Sequence, residues 1–295
     1  MMRRTTRLWI KRIVRRALRW YGTHGHDRGK YRVVNYLAPM LTDDVDHIVT
    51  AKAPHGFDMV LDLNEHIQQR AYYFGYHERM VVETFAHHLF LNTTVFDVGA
   101  NFGQFSLLAA QMVGSGGNVV AFEPAPLAYA ALVRNVEQNN FQQVLCRPVA
   151  VSETRGMATF YASPSDDQGT GSLSREAVER FHIAEQAFSV EVEQLDDYVD
   201  RFKQPVSIIK MDIQGAELMA LRGATRLISK YHPVLVIEVD DEVMHAFGYT
   251  AQNTCDYIRN FGYSLYSIPT RPWEKVVRLD PYNKSSHDLL CIFEQ

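Results

Sequence analysis

The chain is short of cysteine, of acid at one end and of long apolar runs, and each shortage excludes something. Its three cysteines, Cys146, Cys255 and Cys291, lie far apart with no Cys-x-x-Cys pair among 295 residues. A disulfide framework is therefore excluded, and reduced thiols are expected; Cys146, inside an apolar stretch, reads as a small buried hydrophobe. No stretch is long and apolar enough to span a bilayer. Arginines interrupt the N-terminus too often for a secretory signal, whose apolar core needs about 7 to 15 residues. Serine is absent before Ser106, whereas mitochondrial presequences, which share the arginine-rich and acid-poor character of this N-terminus, are usually rich in it. The dinucleotide signature Gly-x-Gly-x-x-Gly is missing too: counted from Gly99, Asn101 and Gln104 stand at the other two glycine positions, so a pyrophosphate has no seat. No Asn-Pro-Pro-Tyr-like base-flipping motif occurs.

A chain of this length that is 46% apolar fits one large α/β domain with an appendage. The net charge of −4 conceals an asymmetry. Residues 1–32 carry eleven Arg and Lys against one acid, Asp27, leaving 19 bases against 33 acids in the other 263 residues. Within this tail, Trp9, Ile10, Ile13, Val14, Ala17, Leu18 and Tyr21 recur at helical spacing, while Lys11, Arg12, Arg15, Arg16 and Arg19 fill the opposite face. That pattern predicts a basic amphipathic helix. Such a helix suits an anionic membrane surface, docking on the acidic body or on a partner protein, or targeting. A cytoplasmic protein, peripheral at the inner membrane face if the tail binds lipid, is the corresponding expectation. The acidic body would repel nucleic-acid phosphate, so no nucleic-acid partner is expected.

Chemistry concentrates first at residues 95–103, Val-Phe-Asp-Val-Gly-Ala-Asn-Phe-Gly, and at Ala121-Phe122-Glu123-Pro124. The first reads as a buried strand ending in a glycine turn that opens a helix, where backbone amides can approach a ligand. The second delivers one carboxylate at a strand tip, placed to accept from two ribose hydroxyls. The acid Asp97 before the turn repels pyrophosphate and suits a sulfonium or an amino group. S-adenosyl-L-methionine is the expected cofactor, with Asp97, Gly99, Asn101 and Gly103 forming the turn and Glu123 holding the ribose.

Strands are expected at 94–98, 118–122, 144–151, 206–211, 233–239, 262–268 and 288–293, alternating with helices at 103–113, 125–139, 215–229 and 251–260. This is an α/β fold with a Rossmann-like, seven-stranded, mainly parallel sheet. Residues 1–32 form the basic tail, and 33–90 a leading region with a hairpin around Phe57–Leu63 and a helix around Arg79–Leu89. Residues 91–295 form the cofactor-binding domain. Its segment 158–193 interrupts the alternation, and the run Ser-Pro-Ser-Asp-Asp-Gln-Gly-Thr-Gly-Ser-Leu-Ser reads as a mobile loop, either a lid or a solvated turn.

The second cluster, Lys210-Met211-Asp212-Ile213-Gln214-Gly215-Ala216-Glu217, ends the fourth strand. Alternation puts Lys210 and Asp212 on one side, and Gly215 permits a sharp turn. Asp212 is the candidate for orienting or deprotonating an acceptor hydroxyl, with Lys210 beside it. Glu217, in the first helical turn, is either catalytic or a cap. Glu238, Asp240 and Asp241 follow the fifth strand; with Asp212, Glu238 and Asp240 could hold a divalent cation, although no histidine is interleaved. His245 is an alternative base and His232 a surface or capping residue.

In order along the chain, VFDVGANFGQFS, AFEPAP, RPVAVSETRG, GSL at 171–173 and IIKMDIQGAELMALRGA at 208–224 resemble the FkbM-type methyltransferases over residues 58–268. One departure is Gln214, where that family usually carries Glu. The resemblance implies a class I methyltransferase sheet whose last strand is antiparallel, adenine contact at Val151 and Ser152 with apolar support from Ala150, a structural Asn135, and methyl transfer near Asp212. The implied activity is O-methylation of a small molecule, sugar or glycolipid hydroxyl. The alternatives are N-methylation of another acceptor or a non-catalytic, membrane-recruited cofactor-binding module.

Overall fold

The computed structural model describes residues 2–25, 27–42, 47–162, 171–179, 186–279, 282 and 287–294. The chain divides into two compact units, Met1–His77 and Glu78–Gln295. Residues 163–170, which hold most of the expected loop, lie outside the described residues.

In the first unit, helices α1 (Met2–His24) and α2 (Asp27–Leu41) precede a hairpin of β1 (Ile48–Lys52) and β2 (Asp58–Asp62) and then helix α3 (His66–Phe74). The hairpin is antiparallel and buries Met59 and Leu61. Glu65 caps α3 by accepting from the amides of Ile67 and Gln68, which satisfies two donors the helix start leaves open. Helix α1 approaches α3 so closely that a Cβ on Gly22 would stand 2.2 Å from the Tyr73 carbonyl oxygen. Its inward side mixes charge with apolar surface, Leu18 being 6% exposed. Arg15 is only 5% exposed, whereas Trp9 is 64% and Trp20 66% exposed. The Arg19 guanidinium explains this orientation: it donates to the carbonyls of Tyr72 and Lys52 and lies over the Tyr72 ring. Charged donors on backbone carbonyls dock the helix where side-chain hydrophobicity would have turned it over. Among the described residues no helix is long and apolar enough to cross a membrane.

The second unit opens with α4 (Arg79–His87), so this helix groups with the residues that follow it rather than with the leading region. Then follow β3 (Thr94–Val98), α5 (Gln104–Val113), β4 (Asn118–Phe122), α6 (Pro126–Gln138), β5 (Val144–Arg147), β6 (Val149–Val151), β7 (Gly156–Ala162), α7 (Arg175–Glu179) and β8 (Gln186–Glu193). The remainder is β9 (Val206–Met211), α8 (Glu217–Arg222), α9 (Thr225–Tyr231), β10 (Val234–Glu238), α10 (Asp241–Met244), α11 (Ala251–Arg259), β11 (Tyr263–Ser267), β12 (Val277–Arg278) and β13 (Asp288–Phe293). The main sheet has the order β12-β11-β13-β10-β9-β3-β4-β5. Strands β5, β4, β3, β9 and β10 are parallel, and β13 runs antiparallel to both its neighbours. The seven expected strands all contribute, and the two-residue β12 adds an eighth at the edge. Every residue of β3 is buried, as a central strand covered on both faces requires. Phe96, Phe122 and Tyr198 meet edge to face at centroid distances of 5.2 to 5.9 Å and fill the core beneath one face.

Three expectations are corrected. The strand expected at 144–151 is two strands: β5 stays in the main sheet, while β6 leaves it to pair with β8 in a second sheet ordered β6-β8-β7. Pro148 sits at the break, where a residue without an N–H ends one ladder. The segment 158–193 is in large part this second sheet, since β7 and β8 pair antiparallel from Gly156↔Val192 to Ala162↔Gln186. The helix expected at 215–229 is broken at Gly223, whose missing Cβ leaves room for the Ser152 carbonyl 2.2 Å from where it would be. Asp196 then caps α9 by accepting from the amides of Arg226 and Leu227.

Candidate active site

Where the chain leaves β3 for β4 and β5 in one direction and for β9 and β10 in the other, the sheet has its switch point, at which open α/β folds bind ligands. The carboxyl ends of β3, β4 and β9 meet there. Gly99 and Ala100 donate their amides to the Phe122 carbonyl, both at 3.0 Å, which ties the turn after β3 to the tip of β4. Gly99 has φ +81, and a Cβ there would fall 1.9 Å from the Asp212 carbonyl oxygen. Only glycine lets the turn after β3 lie against the end of β9 in this way. Asn101 is also left-handed, at φ 50, and its Oδ1 accepts from the Phe102 amide. Gly103 opens α5, and a Cβ on it would press on Leu132 at 2.8 Å. Asn135 donates to the Phe102 carbonyl and braces the turn from α6.

Glu123 is buried, and its two oxygens accept from the amides of Asn101 at 2.8 Å and Ala125 at 2.9 Å. Burial pushes its carboxyl up to about 7 even though both amides favour the ionised form. Each oxygen keeps a further lone pair for a ligand hydroxyl. Asp97 is wholly buried and raised by burial, although Lys210 and Ser106 oppose the rise. Ser106 donates to its Oδ2 at 2.6 Å, while its Oδ1 has no donor among the described residues.

Beside the turn is a narrow apolar cleft lined by Gly99, Phe122, Pro124, Val151, Phe160 and Leu173, among others. Of the expected cofactor residues, Gly99 and Val151 line it, and Glu123 lies between two residues that do. Asp97, Asn101 and Gly103 do not; they shape the turn from beneath. Phe160 and Leu173 come from the second sheet and the segment joining its strands, and their contribution was not readable from composition. Ser172 of that segment exchanges backbone hydrogen bonds with Tyr161 and donates its hydroxyl to the Gln214 carbonyl at 2.9 Å.

At the end of β9, Lys210 is buried and donates to the Gly99 carbonyl at 3.2 Å and to Asp212 Oδ2 at 3.4 Å. Burial would lower its pKa, but Asp212, Asp97 and Glu78 outweigh this and raise it, so the ammonium keeps its charge. Asp212 is likewise pushed up by burial and pulled down further by Lys210 and by hydrogen bonds from Glu238 and Gln214; the net direction is down. Gln214, in the left-handed region at φ 51, donates one amide nitrogen to Asp212 at 3.0 Å and to Glu238 at 3.1 Å. Glu238 pairs across β10 and β13 with Asp288. Burial and the Asp212 charge hold Glu238 well above the usual carboxylate range. Asp288 is pushed up to about 8 by burial, then by Glu78 and Asp212. Glu78 and Asp288 were missed in the sequence because only strand register and the start of α4 bring them to this edge.

Glu217 does not face this cluster as a free carboxylate. Its Oε1 accepts from the amides of Ile213 and Gly215, at 2.9 and 3.3 Å, so it fastens the turn before α8, with its carboxyl raised to about 7 by burial. Asp240 caps α10 by accepting from the Glu242 amide at 2.8 Å, and Asp241 accepts from the Ala251 amide. The cation trio Asp212, Glu238 and Asp240 is therefore not assembled, and among the described residues no group of three or more His, Cys, Asp or Glu is arranged to hold a metal. His245 is exposed after α10, and His232 stacks on Phe293 at 3.8 Å; neither is placed as a base by these contacts.

The chain matches the methyltransferase FkbM domain over residues 97–265, a span that includes the turn, Glu123, the cleft and Asp212. It is 24% identical over 143 residues to Methyltransferase 1 of Beauveria bassiana, covering 44% of this chain and 57% of that protein. It is 26% identical over 143 residues to the hexuronic acid methyltransferase AglP of Haloferax volcanii, covering 48% and 54%. The match thus spans little more than half the length of these relatives. Among solved structures, methyltransferase FkbM from Methylobacillus flagellatus superposes with a TM-score of 0.42 at 17% identity, covering 72% of this chain and 58% of that one. With the family's domain extending across more than half of its residues, from the acid of β3 to strand β11, this chain belongs to the FkbM methyltransferases, a family dependent on S-adenosylmethionine.

Proposed function

We propose that the protein is an S-adenosylmethionine-dependent methyltransferase acting on a hydroxyl of a small molecule, a sugar or a glycolipid headgroup. The observation that carries this reading is Asp212, a partly exposed carboxylate kept ionised beside Lys210 at the switch point, immediately against the cofactor turn at Gly99. The relative named as a hexuronic acid methyltransferase supports a saccharide acceptor.

The residues present fit the cofactor. Glu123 can accept from two ribose hydroxyls without giving up its backbone donors, and the cleft beside Val151 offers apolar walls for adenine. The unsatisfied Asp97 Oδ1 is an acceptor suited to a cationic donor. When bound, S-adenosylmethionine supplies an electrophilic methyl group. The protein's own part is then positional. Asp212 would accept a hydrogen bond from the acceptor hydroxyl and take its proton as the oxygen's lone pair forms the new bond to the methyl carbon and the carbon–sulfur bond breaks, its electron pair staying on sulfur. Concerted proton loss is needed, because a carboxylate held below its usual range is too weak a base to ionise an alcohol beforehand. Lys210 and Gln214 fix the Asp212 carboxylate, and alignment of oxygen and methyl carbon contributes the larger share of the acceleration. Leu173 and Phe160 close one wall of the cleft.

The test is Asp212→Asn, assayed with labelled S-adenosylmethionine against a panel of uronic acids, neutral sugars and glycolipids. Cofactor binding should persist while transfer falls by about 10²–10⁴-fold. Unchanged turnover would remove Asp212 from the mechanism.

A further inference from the structure

Helix α1 turns a tryptophan-bearing apolar stripe outward and lines a basic cavity with the side next to it. Trp9, Ile13 and Trp20 fall along one line of the helix and are 64%, 45% and 66% exposed. Arg12 and Arg16, each three residues beyond a member of that stripe, border it directly. These two join Arg15, Val49, Thr50 and Tyr72 around a cavity of about 220 Å³. Among the described residues that line it, Thr50 and Tyr72 contribute side-chain hydroxyls and none is an acid. Arg15 is held in the wall by a hydrogen bond to Tyr72, and Arg19 is committed to the carbonyls of Tyr72 and Lys52. Three guanidiniums around one cavity offer forked donors matched to a phosphate.

We infer that this face of α1 is a phospholipid-binding surface, in which Trp9, Ile13 and Trp20 enter the headgroup and acyl boundary of an anionic bilayer while the cavity of Arg12, Arg15 and Arg16 takes a lipid phosphate. Two features select a bilayer over a soluble anion. The apolar stripe and the phosphate donors are adjacent on one helix, at the two depths where a headgroup and its acyl chains lie, and tryptophan is the side chain most suited to that boundary. The charge agrees, with eleven bases against one acid in residues 1–32. Arg19 anchors the helix on the carbonyls of Tyr72 and Lys52 and leaves the tryptophan stripe outward. The inference does not rest on methyl transfer.

The experiment is co-sedimentation of the full chain with vesicles of phosphatidylcholine, alone or containing phosphatidylglycerol, with tryptophan emission recorded. The anionic vesicles should bind the protein, shift its emission to the blue and release it at high salt, and neutral vesicles should not. Removing exposed charges as Arg12→Gln and Arg16→Gln should weaken partitioning by roughly fivefold each. Trp9→Ala with Trp20→Ala should weaken it more than about tenfold and leave only Trp273 to report. These positions are exposed, and an unchanged melting temperature in each variant shows that folding is intact. Any of these results overturns the inference: no binding to either vesicle, equal binding to both, variants that bind like the parent, or protection of the cavity by soluble glycerol phosphate without vesicle binding. Self-association abolished by the tryptophan substitutions, in a protein that ignores vesicles, would also overturn it and assign the stripe to a second copy.

Discussion

Gly99→Ala tests the geometry on which the site depends, and Gly248→Ala is its control. Both glycines have φ +81, but a Cβ at Gly248 meets nothing within 4 Å, whereas at Gly99 it meets the Asp212 carbonyl oxygen at 1.9 Å. The conformational cost of a left-handed alanine, about 1 to 2 kcal/mol, is common to both. Only Gly99→Ala adds a backbone collision, and relieving it means parting the end of β3 from that of β9, at about 1 to 3 kcal/mol more. Thermal unfolding of the two variants under matched conditions should therefore place Gly99→Ala lower by several degrees, at about 2 to 4 °C per kcal/mol for a unit of this size. Calorimetric titration should show Gly248→Ala binding S-adenosylmethionine like the parent and Gly99→Ala not binding. Equal melting temperatures, or equal affinities, would refute the claim that the close passage of these two strand ends builds the pocket.

Three other expectations follow from the buried carboxyls. Ligand hydroxyls favour ionised Glu123, so affinity for S-adenosylmethionine should fall as pH drops below about 7, approaching tenfold per unit, and titrations from pH 8 to pH 5.5 would show it. The same group acts oppositely on stability. Its folded pKa lies above the ordinary value, so its contribution to folding is complete below about 4.5 and is lost as pH rises through about 7. Asp288, raised to about 8, follows the same sign, and Asp288→Asn should stabilise the protein at pH 9 while leaving it unchanged or weaker at pH 4; urea melts at the two pH values check this. For Glu217, Glu217→Gln preserves an acceptor for the Ile213 and Gly215 amides and should retain turnover, while Glu217→Ala should lose about 1 to 3 kcal/mol of stability from unsatisfied donors. Loss of turnover in a fully stable Glu217→Gln would return that residue to the chemistry.

Much of the second unit was legible because its strands are short, mostly apolar and bounded by turn residues. Thr94–Val98, Asn118–Phe122, Val206–Met211 and Asp288–Phe293 fall where the sequence puts them. Glycine spacing and a carboxylate at a strand tip likewise identified the turn and Glu123, since both are local chemistry. What was not legible depends on pairing over distance. The single strand expected at 144–151 serves two sheets, and only the course of the chain after Pro148 separates them. The ladder of β7 with β8 is set by residues some thirty positions apart, and the meeting of Glu238 with Asp288 by the register of β10 and β13. Helical periodicity gave α1 two faces without saying which is buried. The arginines decide it, because guanidiniums can reach the carbonyls of Tyr72 and Lys52 and an apolar stripe cannot satisfy them.

The central claim is tested most directly by calorimetric titration of S-adenosylmethionine and its demethylated product into the full chain and into Glu123→Ala. The account predicts saturable binding of both ligands by the parent and none by the variant, with the variant still folded. Binding of equal strength by the two proteins, or no binding by the parent, would contradict it.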